Sequence, residues 1–125
     1  DDGSAVNDTS VVLRAHTPVG RVLLPGDAER SAQSGLLGSG ADLHAEILKV
    51  PHHGSSRQDE RFIRGTGAVI AIASAGQDNE YGHPASKTVG LVESAGMRML
   101  RTDQQGAVAV SLTGEGLRLH AFGHR

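Results

Sequence analysis

Lys49-Val50-Pro51-His52-His53-Gly54-Ser55-Ser56 decides how the chain reads. An apolar β-type run over 46–50 is stopped by Pro51, and two adjacent histidines, a glycine and two small hydroxyl residues follow at once. A strand that ends in an imidazole-rich polar loop is how many α/β proteins present chemistry at the carboxyl edge of a sheet. Two other stretches are suited to join it: Pro25-Gly26-Asp27-Ala28-Glu29 before it and Asn79-Glu80-Tyr81-Gly82-His83-Pro84 after it.

The pattern on either side sets the class. A polar loop over 1–9 precedes a β-branched strand over 10–15, a Pro/Gly turn over 16–20 and a returning strand over 21–24. Ala28, Ala32, Leu36 and Leu37 predict a helix over 28–38, and the third strand runs to Val50. A short helix over 58–64 is anchored by Phe62 and Ile63. The stretch 68–74 is apolar almost throughout, as a strand covered on both faces is. Pro84 and Gly96 bracket a helix over 85–95. Strands over 97–101, 107–112 and 117–121 follow, with turns over 102–106 and 113–116. Strands alternating with helices, plus hairpins at both ends, predict one α/β domain over 1–125 with a mixed sheet.

The 125 residues suffice for one domain with a core. Only 2% are aromatic, so that core must come from Val, Leu, Ile and Ala. A formal net charge of -2 excludes a general basic field for nucleic acid, and any phosphate must be held by local groups or bound metal. With no cysteine, disulfides, thiolate metal sites and thiol nucleophiles are excluded. No apolar run reaches membrane-spanning length. The opening Asp1-Asp2-Gly3-Ser4 reads as the start of an excised domain.

Three loops that lead from strand to helix each offer an Asp or His, which chance explains poorly. Asp27 is either the cap of the helix that follows or a metal ligand held by the rigid strand beneath it. Glu29 reads as a solvated first-turn acid that complements the helix dipole. Adjacent loop side chains diverge, so one of His52 and His53 can ligate while the other contacts substrate or positions its neighbour. His83 repeats the setting, after a strand and before a helix. Ser55 and Ser56 can donate to a phosphate or cap the next segment. No Gly-x-Ser-x-Gly elbow surrounds either serine, which argues against a serine hydrolase. His16, His44, His120 and His124 read as structural or solvent-facing, and Asp103 as an Asx-turn residue.

Taken in order, Asn7-x-x-Ser10, Leu24-Pro25-Gly26-Asp27-Ala28-Glu29, Leu48-Lys49-Val50-Pro51-His52-His53-Gly54-Ser55, Asn79-x-Tyr81-Gly82-His83-Pro84 and Arg101-Thr102-Asp103-x-x-Gly106 resemble a known family. It is the metallo-β-lactamase-like domain at the C-terminus of ComEC-type DNA-internalisation competence proteins. The resemblance implies an αββα sandwich, of which this chain is the C-terminal half, with two divalent ions (Zn or Mn) and hydrolysis of nucleic-acid phosphodiesters. It implies an extracytoplasmic place beside a membrane channel, with DNA, the N-terminal half of the domain and that channel as partners. Asp27 corresponds to the bridging carboxylate, and His52 or His53, together with His83, to the later histidine motifs. Asn7 stands near where many relatives in the wider superfamily carry a histidine.

One departure outweighs the agreements: the His-x-His-x-Asp-His motif is absent, and no His-x-His occurs anywhere in the chain. The chain alone is therefore expected to bind few or no ions and to show little hydrolysis. It is also expected to expose an apolar face and self-associate. The alternatives are a non-catalytic module that contacts DNA or the channel, and another hydrolase of the same superfamily.

Overall fold

The computed structural model describes residues 3–124. Its elements are α1 (Ser4–Asn7), β1 (Leu13–Thr17), β2 (Gly20–Leu24), α2 (Arg30–Gly38), β3 (Ile47–Lys49), a turn at Pro51–Gly54, α3 (Glu60–Gly65), β4 (Ile70–Ala73), α4 (Ser86–Ser94), β5 (Arg98–Arg101), α5 (Thr102–Gln105), β6 (Val108–Thr113) and β7 (Gly116–Ala121). The molecule is α/β, with a mixed sheet flanked by helices.

Five strands form one sheet in the order β1-β2-β3-β4-β5. β1 is antiparallel to β2, whereas β2 through β5 are mutually parallel. Each parallel step needs a crossover, and α2, α3 and α4 supply the three. Because the strand order never reverses and crossovers share one hand, all three helices fall on the same face. β6 and β7 form a separate antiparallel hairpin.

The strands' period of two sorts their side chains between these layers. Leu23, Leu48, Ala71 and Ala73 point into the larger cluster, where Phe62 and Ile63 of α3 and Val92 of α4 are fully buried. Ile47, Ile70 and Leu100 point the other way, against Val108, Val110 and Leu119 of the hairpin. β4 is thus covered on both faces, as its unbroken apolar sequence predicts.

The differences from expectation are local. The loop expected over 1–9 contains the one-turn helix α1, while Asp1 and Asp2 lie outside the described residues. β1 extends through His16 and Thr17, so the turn narrows to Pro18 and Val19 and His16 becomes an exposed strand residue. The turn expected over 102–106 is the four-residue helix α5. The Asp103 carboxylate takes chiefly Nε and Nη2 of Arg101, at 3.1 and 2.7 Å, with its own and the Gln104 backbone N–H as lesser partners. That guanidinium holds the Asp103 carboxyl below its ordinary range.

Asp27 does not cap α2. The N-cap position belongs to Glu29, with no side-chain cap bond. α3 is capped by Asp59, which accepts from the Arg61 backbone N–H at 2.9 Å, and not by Ser55 or Ser56.

At the edge of the sheet away from the histidines, Glu46 clasps β2 to the start of β3. Its carboxylate accepts from the Arg21 backbone N–H at 2.6 Å and from the guanidinium at 2.8 Å. These bonds lower the Glu46 carboxyl from 4.5 to about 2. Since the folded state holds this proton less tightly than the unfolded chain, the stabilisation is complete above 4.5 and is lost as pH falls toward about 2. Glu46→Gln is expected to flatten the acid side of the urea-midpoint profile over that window. An unchanged slope would show that this clasp does not contribute.

Candidate functional site

The carboxyl ends of β2, β3, β4 and β5 are neighbours in the sheet, so the loops leaving them meet at one edge. The β2 loop carries Asp27 and Glu29, the turn after β3 carries His52 and His53, and the β4 loop carries His83. The structure brings all four expected ligands, Asp27, His52, His53 and His83, into this one region. The other histidines take no part: His16 and His44 are exposed, His120 pairs with Ser111, and His124 with the Asp103 carbonyl.

The backbone of the histidine turn is unusual. His52 (φ 47°) and His53 (φ 54°) are consecutive non-glycine residues in the left-handed region, where a side chain crowds its own carbonyl. Such strain persists only where surrounding structure over-determines it. Here the His52 N–H donates to the Gly26 carbonyl at 3.0 Å, and the Ser55 N–H to the His52 carbonyl at 2.9 Å. The buried Gln58 amide donates to the carbonyls of Pro51 and Ser55, at 3.0 and 2.9 Å. Thr88 of α4 adds a 2.6 Å bond to the Ser55 carbonyl. Gln58 is itself held by Gln33 of α2, whose amide nitrogen donates to its oxygen at 2.8 Å. A chain of buried amides therefore joins the helix layer to the turn.

Gly54 completes the turn by close approach. A Cβ there would lie 2.5 Å from Cβ of Pro84 and 2.9 Å from its Cα, and φ is +88°. The Ala85 N–H donates to the Gly54 carbonyl at 2.8 Å. The two histidine loops are thus seated directly on one another.

Glu29 is the largest departure from the sequence reading. Expected in solvent, it is 5% exposed and forms the hub of the site. Its carboxylate accepts from Ser4 Oγ at 2.6 Å, Asn7 Nδ2 at 3.1 Å, His52 Nδ1 at 2.9 Å and Arg57 Nη1 at 3.3 Å. Burial alone would raise its pKa, but hydrogen bonds from Ser4, Asn7, Arg57 and His52 outweigh burial and lower it. An ionised carboxylate only accepts, so the proton of neutral His52 sits on Nδ1, leaving Nε2 with its lone pair.

The same logic places the proton of His53. Its Nδ1 lies 2.8 Å from the carbonyl oxygen of Ser74, which also only accepts. Its Nε2 then faces Asp27 Oδ1 at 3.6 Å. A lone pair opposite a carboxylate is favourable only with a proton or a cation between them.

His83 is held by Asn79, which accepts from its N–H at 2.9 Å and donates to its carbonyl at 2.8 Å. Its Nδ1 is buried without a hydrogen-bond partner. Burial, then the neighbouring His52 and His53, push its pKa down, while Asp27 pulls it up. The His52 and His83 rings lie 5.6 Å apart, edge to face.

Imidazoles whose Nδ1–H is anchored on oxygen, an orphaned buried nitrogen and a nearby carboxylate suit a divalent cation in donor type. In number they fall short. Among the described residues no three His, Cys, Asp or Glu side chains converge as a ligand set.

Ser56 is exposed and, with buried Ser55, lines a cleft of about 360 Å³ beside Glu29, His52 and Arg57. The Ser55 hydroxyl accepts from the Arg57 N–H at 3.4 Å. Sequence reasoning assigned no role to Arg57, Ser4 or Lys49. Lys49 donates to the Val50 carbonyl at 2.9 Å, and burial lowers its pKa against the pull of Asp27. Only its place near the end of an apolar strand, two residues before Pro51, hinted at it.

Two substitutions test this construction. Glu29→Ala removes the buried acceptor shared by Ser4, Asn7, His52 and Arg57, and is expected to cost about 3 kcal/mol in urea denaturation, the upper part of the range for breaking a buried hydrogen-bond network. A cost typical of surface sites would show the hub to be dispensable. Gly54→Ala forces its methyl into Pro84 and is expected to destabilise the fold by about 2 kcal/mol or more. It should also shift the amide resonances of His83 and Ala85. Native resonances at both positions would rule out the tight seating of the two loops.

One of the comparisons with known proteins finds relatives. No protein-family profile matches the chain, and no solved structure matches it. It is 36% identical over 108 residues to ComE operon protein 3 of Bacillus subtilis (strain 168), covering 86% of this chain and 14% of that protein. It is 32% identical over 114 residues to competence protein ComA of Neisseria gonorrhoeae, covering 90% of this chain and 16% of that one. Protein YcaI of Escherichia coli (strain K12) is 29% identical over 118 residues, or 93% of this chain and 16% of its own length. The chain thus spans about one-seventh of the length of these relatives. Over most of its own length, this chain is related to a small part of competence proteins.

Proposed function

We propose that this chain is the C-terminal part of a metallo-β-lactamase-like hydrolase domain that cleaves nucleic-acid phosphodiesters in a DNA-uptake membrane protein. The observation that carries the reading is the meeting of Asp27, His52, His53 and His83 at the carboxyl edge of one parallel sheet, with both Nδ1–H groups of the histidine pair anchored on oxygen. Kinship with competence proteins supports the uptake role. The layer order of helices, sheet and hairpin fits an αββα sandwich whose second sheet is supplied in part by β6 and β7. The exposed Leu112 and Leu117 on that hairpin fit a surface for the remaining half, or for a second copy of this chain.

In this reading Asp27, His52, His53 and His83 are ligands to two divalent ions, Zn or Mn, completed by the His-x-His-x-Asp-His segment that this chain lacks. Such ions lower the pKa of water and neutralise charge on the phosphate. The residues of this chain do the positioning. Glu29 and the Ser74 carbonyl orient the two imidazoles, and the strained turn aims them. Arg57 and Ser56 line the cleft beside His52, where a phosphate oxygen would find donors. The domain would act outside the cytoplasmic membrane, beside the channel; no helix among the described residues is long and apolar enough to cross a membrane.

A second reading has its own support. The shortfall of converging ligands favours a module that contacts DNA or the channel without cleaving.

The experiment compares the 125-residue chain with the natural protein's domain extended toward the N-terminus, each with Mn²⁺ or Zn²⁺ and a DNA strand. The shorter chain is expected to show no turnover and the longer one to cleave. Asp27→Ala and His53→Ala in the longer form should each lose about a hundredfold or more, the upper end of what supporting partners contribute at metal sites. An inactive extended domain that still binds DNA would establish the second reading instead.

A further inference from the structure

Tyr81 is the protein's only tyrosine, there is no tryptophan, and its ring is 82% exposed. A large aromatic ring left in solvent at the mouth of a polar site is a feature to be explained, because it forgoes the burial that usually places such a ring. One face is already engaged: Tyr81 stacks on His83 with centroids 5.7 Å apart and planes 19° from parallel. Since Asn79 holds the His83 backbone from both sides, the stack stands on a fixed base. The opposite face of the ring is open.

The ring also stands between two depressions. One, of about 300 Å³, has a small-residue floor of Ala75 and Gly76 and is bounded by His53, Ser74 and Asn79. The other is the polar cleft of about 360 Å³ with Ser56 and Arg57. Tyr81 and His83 line both. The first is small, near the lower limit for a small-ligand pocket, and has room for a planar heterocycle. The second offers the hydroxyl and guanidinium that phosphates use.

Charge narrows the choice further. At a net charge of -2 the chain has no general attraction for a polyanion, so affinity for a nucleic acid must come from contacts that do not depend on a basic field. Stacking of bases on an aromatic face is such a contact, and it requires a base that is not already stacked in a duplex.

The geometry points to a nucleotide subsite in which one base of a single strand stacks on the open face of Tyr81, over Ala75 and Gly76, while its phosphate lies toward Ser56 and Arg57. This rests on the nucleic-acid reading above and adds the part of the substrate that is gripped: an unpaired base, independent of its identity.

Because Tyr81 is the single intrinsic fluorophore of its class, its emission reports the contact directly. The test titrates the 125-residue chain, without added metal, with oligothymidylate of about twelve nucleotides, within the range of known single-strand site sizes. An abasic sugar-phosphate chain of the same length is titrated in parallel. Oligothymidylate is expected to quench Tyr81, and the abasic chain to leave its emission unchanged. In anisotropy with labelled strands, Tyr81→Ala should weaken oligothymidylate binding about tenfold, as loss of one stacked base does. Tyr81→Phe should stay within about threefold, since the π-face is kept. Abasic binding should be the same for all three proteins. Equal oligothymidylate affinity in Tyr81→Ala, an equal loss for the abasic chain, or no binding by the unsubstituted chain would each overturn the subsite. No cleavage enters these measurements, so a failed hydrolysis assay leaves the subsite standing, whereas loss of the subsite leaves the hydrolase reading to its own test.

Discussion

Two consecutive histidines held in left-handed backbone conformation are the constraint on which the candidate site depends. Neither residue adopts that conformation readily, and within the turn only the Ser55 N–H bond to the His52 carbonyl supports it. The compensation comes from the carbonyl of Gly26 on one side, the buried Gln58 and Thr88 on another, and Pro84 beneath Gly54. Three successive strand-to-helix loops are thereby fastened to each other and to α2, α3 and α4. The imidazoles project from a surface that cannot relax without disturbing the helix layer.

Electrostatics finish what the backbone begins. A buried carboxylate is tolerated only when its lone pairs are satisfied, and Glu29 gathers four side-chain donors, two from α1 and two from the segment after β3. In return it sets the tautomer of His52, as the Ser74 carbonyl sets that of His53. Both rings then keep the Nε2 lone pair available, the arrangement found where imidazole serves as a ligand or base. Among the described residues, no full set of three ligands surrounds one point. The site is therefore well prepared in orientation and short in number.

Much of this was legible in the sequence. The β-branched and apolar runs marked the five strands of the sheet and the hairpin, and Pro84 and Gly96 bracketed α4 because their backbone preferences act on nearest neighbours. Phe62 and Ile63 were visible as the anchors of α3. The meeting of Asp27, His52, His53 and His83 followed from strand-end position, since parallel neighbours must place their carboxyl ends together. The readings that failed concerned side chains whose role rests on distant partners. Asp27 lacked its capping role, and the expected solvent-facing Glu29 became a buried hub.

The sequence by itself determined the order of elements, the α/β class and the loops that carry imidazole and carboxylate, because each of those depends on residues a few positions apart. Only the tertiary structure decided that Glu29 is ionised and enclosed, that Gln33 and Gln58 tie the helices to the histidine turn, and that Tyr81 stacks on His83 with its other face open. Glu29 and its partners are separated by 22 to 28 residues. No periodicity signals a pairing at that distance; it exists only once the sheet has set neighbouring strand ends side by side.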